Sequence, residues 1–231
     1  MIPPHSYSSL KMLKTCPHQY YRTYVKKDLP FRETPEMKWG TRVHEALEKR
    51  LRDNIPLPAD LEQHESFALP FDKFPTRVET KLGMARDGYA CDFFDKAVFL
   101  RGKVDLSVDV DDICAIYDWK TGKVFEDPFE LRVQALLLKV NYHYLKKFTG
   151  QYIWLKTGKL GREHNCSDTA NTWHELQELD RKARLFDESK VWPKVSNVLC
   201  GWCSVVDCKH NPERTHARPG ASGQETSHSV F

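Results

Sequence analysis

Two apolar runs, "AVFLRGKVDLSVDV" and "ICAIYDWK", meet at Asp111 and Asp112 and so predict a β-hairpin. A two-residue loop there pairs Val110 with Ile113, and counting back along both strands sets Val108 against Ala115, Leu106 against Tyr117 and Val104 against Trp119. One face of the hairpin is then apolar. The same register sets Asp105 opposite Asp118, with their Cβ atoms about 5 Å apart. Two carboxylates that close repel each other unless a cation lies between them. Side chains two apart on a strand share a face, so Lys120 joins Asp118, Ile116 and Cys114. The turn is the weak point of this register, because Asp-Asp is a poorer type I′ pair than Asp-Gly.

Around the hairpin the pattern alternates between helix and strand. "SYSSLKMLKTCPHQYYRTYV" reads as two helical pieces, the first capped by Ser6 or Ser8 and the second opened by Pro17, with Cys16 at the joint. "EMKWGTRVHEALEKRL" places Val43, Leu47 and Leu51 at helical spacing, with His44 on the flank of that stripe. A proline-interrupted loop with a short helix follows, and then a strand in "RVETKLGMA". After the hairpin, "PFELRVQALLLKVNYHYLKK" predicts a helix with Phe129, Val133, Leu136, Val140 and Tyr144 on one face. "QYIWLKT" predicts a strand, and "TANTWHELQELDRKARLFDES" a last helix. The expected domain is residues 1–210, with 211–231 a polar, disordered tail.

At 231 residues, with 40% hydrophobic and 29% charged residues, the chain can bury one sizeable core and has no run long enough to cross a bilayer. No basic start followed by an apolar stretch opens it, so a cytoplasmic protein without membrane partners is expected. The net charge of +3 neither announces nor excludes a nucleic-acid partner. Seven cysteines without a secretory signal argue against a disulfide framework. Cys91, Cys114 and Cys166 are scattered, but Cys200, Cys203 and Cys208 cluster in "LCGWCSVVDCKH".

Two carboxylates on neighbouring strands plus the imidazole of His44 are hard ligands that suit Mg2+ or Mn2+ better than a soft-ligand metal. Lys120 would bring a positive charge to the same space, and phosphodiester hydrolysis fits that set of groups. The alternative is an ordinary hairpin in which Lys120 forms a salt bridge with Asp118.

"GKVDLSVDVDDICAIYDWKTGK" resembles the G-x-x-D and D-x-K-T-G motifs of the PD-(D/E)XK nuclease superfamily, in its RecB-like branch. "WGTRVHEALE" is similar to that branch's G-x-x-x-H-x-x-L element, and Gln134 in "VQALLLK" to its glutamine motif. The four motifs follow the family's order across nearly the whole chain. The resemblance implies an α/β fold with a restriction-endonuclease-like core, a central mixed sheet flanked by helices. It further implies His44, Asp105, Asp118 and the Trp119 carbonyl as metal ligands, Lys120 as the catalytic lysine, and Gln134 as a group orienting DNA or that lysine. Glu79 matches an acidic position on the first core strand. Leu138 departs from the family, which often has tyrosine there.

The cysteines resemble those of the iron-sulfur members of this branch, the AddB-type nucleases and CRISPR-associated adaptation exonucleases. There one cysteine precedes the domain and three follow it, and Cys16, Cys200, Cys203 and Cys208 occupy those places. The resemblance implies a [4Fe-4S] cluster, for which the same four thiolates leave Zn2+ as the alternative. The "SVVD" loop is about one residue short of the usual form, and Lys209 stands where proline often follows. The implied activity is a metal-dependent DNA exonuclease acting on ends or single strands, with recombination, helicase or CRISPR adaptation proteins as partners. A non-catalytic nucleic-acid-binding module organised by the cysteines is the competing expectation.

Overall fold

The computed structural model describes residues 1–29 and 33–212. Residues 213–231 lie outside the described residues, and with them nearly all of the expected tail. Asn211, within that expected tail, is buried and donates its side-chain amide to the Cys203 carbonyl.

The chain forms α1 (Tyr7–Thr15), α2 (Pro17–Tyr20) and a π-helical turn at Tyr21–Val25, then α3 (Pro35–Asp53). Short 3-10 turns flank α4 (Glu65–Ala68). Strands β1 (Thr76–Ala85), β2 (Ala90–Cys91), β3 (Val98–Val110) and β4 (Ile113–Lys120) follow. Then come α5 (Pro128–Asn141), β5 (Lys147–Trp154), β6 (Lys159–Leu160), β7 (His164–Asn165) and α6 (Thr169–Ser189). The strands make one mixed sheet in the order β2-β1-β3-β4-β5-β6, with β7 paired to β5. All pairs are antiparallel except β4 with β5, whose parallel pairing needs the α5 crossover between them.

Local chemistry explains the ends of the elements. Ser6 caps α1 through a reciprocal pair of bonds with Ser9, and Pro17 opens α2 directly after Cys16. The hairpin forms with the two-residue loop, Val110 paired to Ile113. Of the two loop residues only Asp111 takes a positive φ, +54°, a conformation Asp accepts more readily than a bulky side chain.

Helices cover both faces of the sheet. On one side α5 packs together with α1 and α6, and Leu82, Val104, Ile116, Leu131, Leu137 and Phe148 join one core. On the other, Val43 and Leu47 of α3 bury Val78, Leu106, Trp119 and Ile153. Because α5 lies between the sheet and two further helices, Leu131, Ala135, Leu137 and Leu138 are buried as well as Phe129, Val133 and Leu136. The single apolar stripe expected for this helix is therefore a nearly complete apolar cylinder.

The helix is also shorter than its sequence pattern. It ends at Asn141, whose side chain donates to the Leu137 carbonyl, and Tyr142 leaves to lay its ring 4.2 Å from the Arg77 guanidinium. Tyr144 lies beyond the helix, exposed, and donates its hydroxyl to Asp109 at 2.6 Å.

The α5 crossover sits close to β5 because Gly150 has no side chain. A Cβ there would lie 2.9 Å from Leu131 Cβ and 3.2 Å from Cys166 Sγ. Gly150→Ala should therefore destabilise the fold by about 1–3 kcal/mol, read as a lower urea midpoint with an unchanged slope. A midpoint equal to wild type would show that α5 can move aside freely.

Candidate metal centre and lysine cluster

The β3–β4 ladder stops at Leu106–Tyr117. Up to that point Leu106 and Tyr117 both turn towards α3, but Val104 belongs to the core under α5 while Trp119 packs on the α3 side. The expected Val104–Trp119 pair therefore does not form, because β3 shifts its alternation by one residue at Asp105. On β1 the same change happens at Glu79: Val78 joins the α3 side and Leu82 the α5 side. Glu79 makes the switch with φ +51°, a left-handed conformation costing about 1–3 kcal/mol in a non-glycine residue. The sheet is forked here, and the Asp105 carboxylate fills the gap by accepting the Trp119 N–H at 3.0 Å.

His44 of α3 faces this fork. Its Nδ1 lies 3.3 Å from Glu79 Oε1 and 3.5 Å from Asp105 Oδ1, and its Nε2 lies 3.1 Å from the Trp119 carbonyl. Gly40, one turn earlier, lets α3 approach closely, since a Cβ there would lie 3.3 Å from Thr121 Oγ1. Ligand atoms of His44, Glu79 and Asp105 all lie within 4.8 Å of one another, and no other such set occurs among the described residues.

Electrostatics reflect the crowding of like charge. Burial and the neighbouring Asp118 charge push the Asp105 carboxyl up, against the pull of His44. Burial opposes protonation of His44, but Asp105 and Glu79 outweigh it and raise the imidazole to about 10. Burial would raise Glu79, yet His44 and Lys103 hold it below the usual carboxylate range, with Lys103 in direct ion pairing.

Asp118 and Lys120 face the other way, towards α5. Gln134 donates to Asp118 Oδ1 at 2.8 Å, and Lys120 Nζ lies 2.6 Å from Asp118 Oδ2. Lys120 also reaches Glu130 at 3.0 Å, and Tyr152 donates its hydroxyl to the same Glu130 oxygen at 3.1 Å. Burial opposes the charge on Lys120, but Asp118 and Glu130 overcome it and raise its pKa. Burial and Asp118 push Glu130 up to about 7.

The structure thus gathers His44, Glu79, Asp105 and the Trp119 carbonyl on one side, and Asp118, Lys120 and Gln134 on the other. Asp118 stands outside the close His44–Glu79–Asp105 set and acts on Asp105 through its charge. Glu130 was not among the sequence candidates. Its signal was its position one helical turn before Gln134, which puts both side chains on one face of α5. Leu138 is buried in the core, and the phenol that reaches the cluster comes from Tyr152.

Cys16, Cys200, Cys203 and Cys208 line one pocket. Burial pushes the Cys203 thiol up, and the other three sulfurs add to that shift. The segment after α2 and the segment after α6 meet at the same place, where Arg22 grips both oxygens of Asp207 at 2.8 and 2.9 Å. The four thiols offer the donor type that an iron-sulfur cluster or zinc takes, although no three of the sulfurs lie within 4.8 Å of one another.

A mixed sheet whose fork carries an oxygen-rich donor set beside a half-buried lysine defines an α/β protein with a candidate divalent-metal site. Among comparisons with known families, a model of the PD-(D/E)XK nuclease superfamily matches residues 4–79 of the 231, a stretch that includes His44 and Glu79. The crystal structure named "Putative exonuclease" from Eubacterium rectale is similar at TM-score 0.54 and 14% identity, over 96% of this chain and 90% of that one. The crystal structure of SSO0001 aligns at TM-score 0.42 and 13% identity, over 89% and 85%. No curated protein matches the sequence. Among the described residues no helix is long and apolar enough to cross a membrane.

The donor set has its own test. Mn2+ at a hundredfold excess over its Kd should stabilise the wild-type protein by about 2.7 kcal/mol in thermal melts. Asp105→Asn should keep the wild-type melting temperature in chelator but lose the Mn2+ increment. An undiminished increment would remove Asp105 from the set.

Proposed function

We propose that this chain is a divalent-metal-dependent nuclease that hydrolyses DNA phosphodiester bonds, working as an exonuclease on ends or single strands in recombination, repair or CRISPR adaptation. The observation that carries the reading is the half-buried Lys120 ammonium held against the buried Asp118 carboxylate, beside the forked strands bearing Asp105 and Glu79. An isolated surface hairpin would have no reason to bury these charges together. The family match over residues 4–79 supports the same reading.

In this proposal residues 1–210 act as one unit. His44, Glu79, Asp105 and the Trp119 carbonyl hold Mg2+ or Mn2+, with Asp118 completing the charge around it. The ion supplies Lewis acidity to the phosphate and lowers the pKa of water. Gln134 fixes Asp118, and Asp118 with Glu130 fixes the Lys120 ammonium. Lys120 then stabilises the charge that builds on the phosphate as water attacks, one P–O bond forming and one breaking.

The four cysteines are proposed to hold a [4Fe-4S] cluster that fastens the N-terminal helices to the segment after α6, already joined by Arg22 and Asp207. Cys16→Ser should then lower iron, labile sulfide and thermal stability as much as Cys203→Ser in protein prepared without air. Zinc in place of iron would assign the site to Zn2+, and wild-type iron and sulfide in the Cys16 variant would break the four-cysteine set.

The nuclease reading is tested with Mg2+ or Mn2+ on end-labelled linear and circular DNA. Lys120→Ala should keep the fold and most DNA affinity but lose nearly all single-turnover cleavage at saturating DNA. Lys123 lines the clefts on either side of the 121–125 loop and serves as the control. Lys123→Ala should weaken binding and flatten its salt dependence by about one unit of slope while leaving the cleavage step intact. DNA binding by the wild-type protein without any cleavage would favour a non-catalytic binding module instead.

A further inference from the structure

The metal-side cleft, about 370 Å³, is bounded by Glu45 and Glu48 of α3 on one wall and by Lys81 and Lys103 of the sheet on the other. Lys81 and Lys103 are direct partners across β1 and β3. Like charges placed so, with Cβ atoms about 5 Å apart, destabilise a sheet. Lys103 is relieved by its ion pair with Glu79. Lys81 makes no ion pair or hydrogen bond among the described residues and is exposed. The fold therefore holds an uncompensated cation at the mouth of the cleft that leads to His44 and Glu79.

One step further along the same strands, Gly83 pairs with Arg101. A Cβ at Gly83 would lie 2.7 Å from the Cys91 carbonyl oxygen and 2.8 Å from that of Asp92. Only glycine lets the chain after β2 fold this tightly onto the sheet, and that fold delivers Phe93 and Phe94 to the cations. The Arg101 guanidinium lies 5.2 Å from the Phe93 ring, and the Lys81 ammonium 5.9 Å from the Phe94 ring. Phe93 supports Phe94 edge-on, at 4.9 Å between centroids, yet Phe94 remains 75% exposed. A braced, exposed aromatic beside two cations does not contribute to the core. It matches the requirements of a base stacking on a ring while its phosphates meet ammonium and guanidinium groups.

We propose that Lys81, Arg101 and Phe94 form a subsite for an unpaired nucleic-acid segment on the His44 side of the site. The acids of α3 repel the phosphates from the helix wall, so the backbone runs along the lysine wall, from the fork at Glu79 and Asp105 out to the loop after β2. Phe94 stacks on a base, which requires that base to be single-stranded. Asp92 and Asp95, which flank Phe93 and Phe94 in the sequence, limit phosphate contact at the far end, so Lys81 and Arg101 carry it. This inference rests on the nucleic-acid reading of the site and adds the strand's path and its single-stranded character.

The test measures binding of a short fluorescein-labelled oligothymidylate to the full chain by anisotropy, in Ca2+ and over a series of salt concentrations. Lys81→Ala should weaken binding several-fold and flatten the salt slope by about 0.7, the release expected for one phosphate contact on a single strand. Phe94→Ala should weaken it about tenfold with the salt slope unchanged, and Phe94→Trp should restore it. Because these side chains are exposed, melting temperatures should match wild type. Wild-type affinity in both alanine variants, while the wild-type protein binds and cleaves, overturns the subsite and leaves the nuclease reading intact. An equal loss by Phe94→Ala on blunt duplex overturns the stacking role. A wild-type protein that neither binds the oligonucleotide nor cleaves DNA overturns both.

Discussion

The fork between β3 and β4 is the constraint on which the site depends. A strand end normally satisfies its amides through the ladder, and a buried N–H left alone costs about as much as a lost hydrogen bond. Here the Trp119 N–H is satisfied by the Asp105 carboxylate, so the two strands can separate without an orphaned donor. Separation is what turns Asp105 and Glu79 towards α3 and leaves Asp118 and Lys120 facing α5. The backbone switch at Glu79, with its left-handed φ, is held in place by the cores on either side of the sheet.

The two halves of the site are consequently built on different scaffolds but share one field. His44 rides on α3, whose close approach depends on Gly40, and Glu130 and Gln134 ride on α5. Asp105 and Asp118 act on each other electrostatically across the fork, and each is balanced by a cation from its own side, His44 for one and Lys120 for the other. Buried charges arranged this way are poor contributors to stability, since desolvation offsets much of the pairing. Their concentration at one break in a well-packed sheet is therefore better explained by chemistry than by folding, which supports the proposed nuclease over a salt-bridged hairpin.

The cysteine pocket stands apart from this field. It lies where the segment after α6 returns to the N-terminal helices, and Arg22 with Asp207 already brings them together. A cluster or ion at that pocket would act on the persistence of the fold rather than on the chemistry at the fork, because none of its side chains belongs to the fork.

Much of this architecture was legible in the sequence because it is local. The alternation of "VFLRGKVDLSVDV" and "ICAIYDWK" with a two-residue loop determined the register up to Leu106–Tyr117, and Ser6, Pro17 and the apolar spacing of α3 and α6 marked their helices. What failed was whatever depended on a neighbour distant in sequence. The period-two count placed Val104 against Trp119, and only the packing of α3 and α5 on opposite faces decided that β3 would slip at Asp105. The end of α5 and the fate of Tyr144 were decided by Arg77 of β1 and Asp109 near the hairpin tip, and the burial of α5 on its outer side by α1 and α6. The sequence by itself determined which carboxylates, imidazole, lysine and thiols the chain carries and on which elements. Tertiary structure decided how they are divided around the fork, because side-chain direction in a strand follows backbone alternation, and a single irregular residue reverses it.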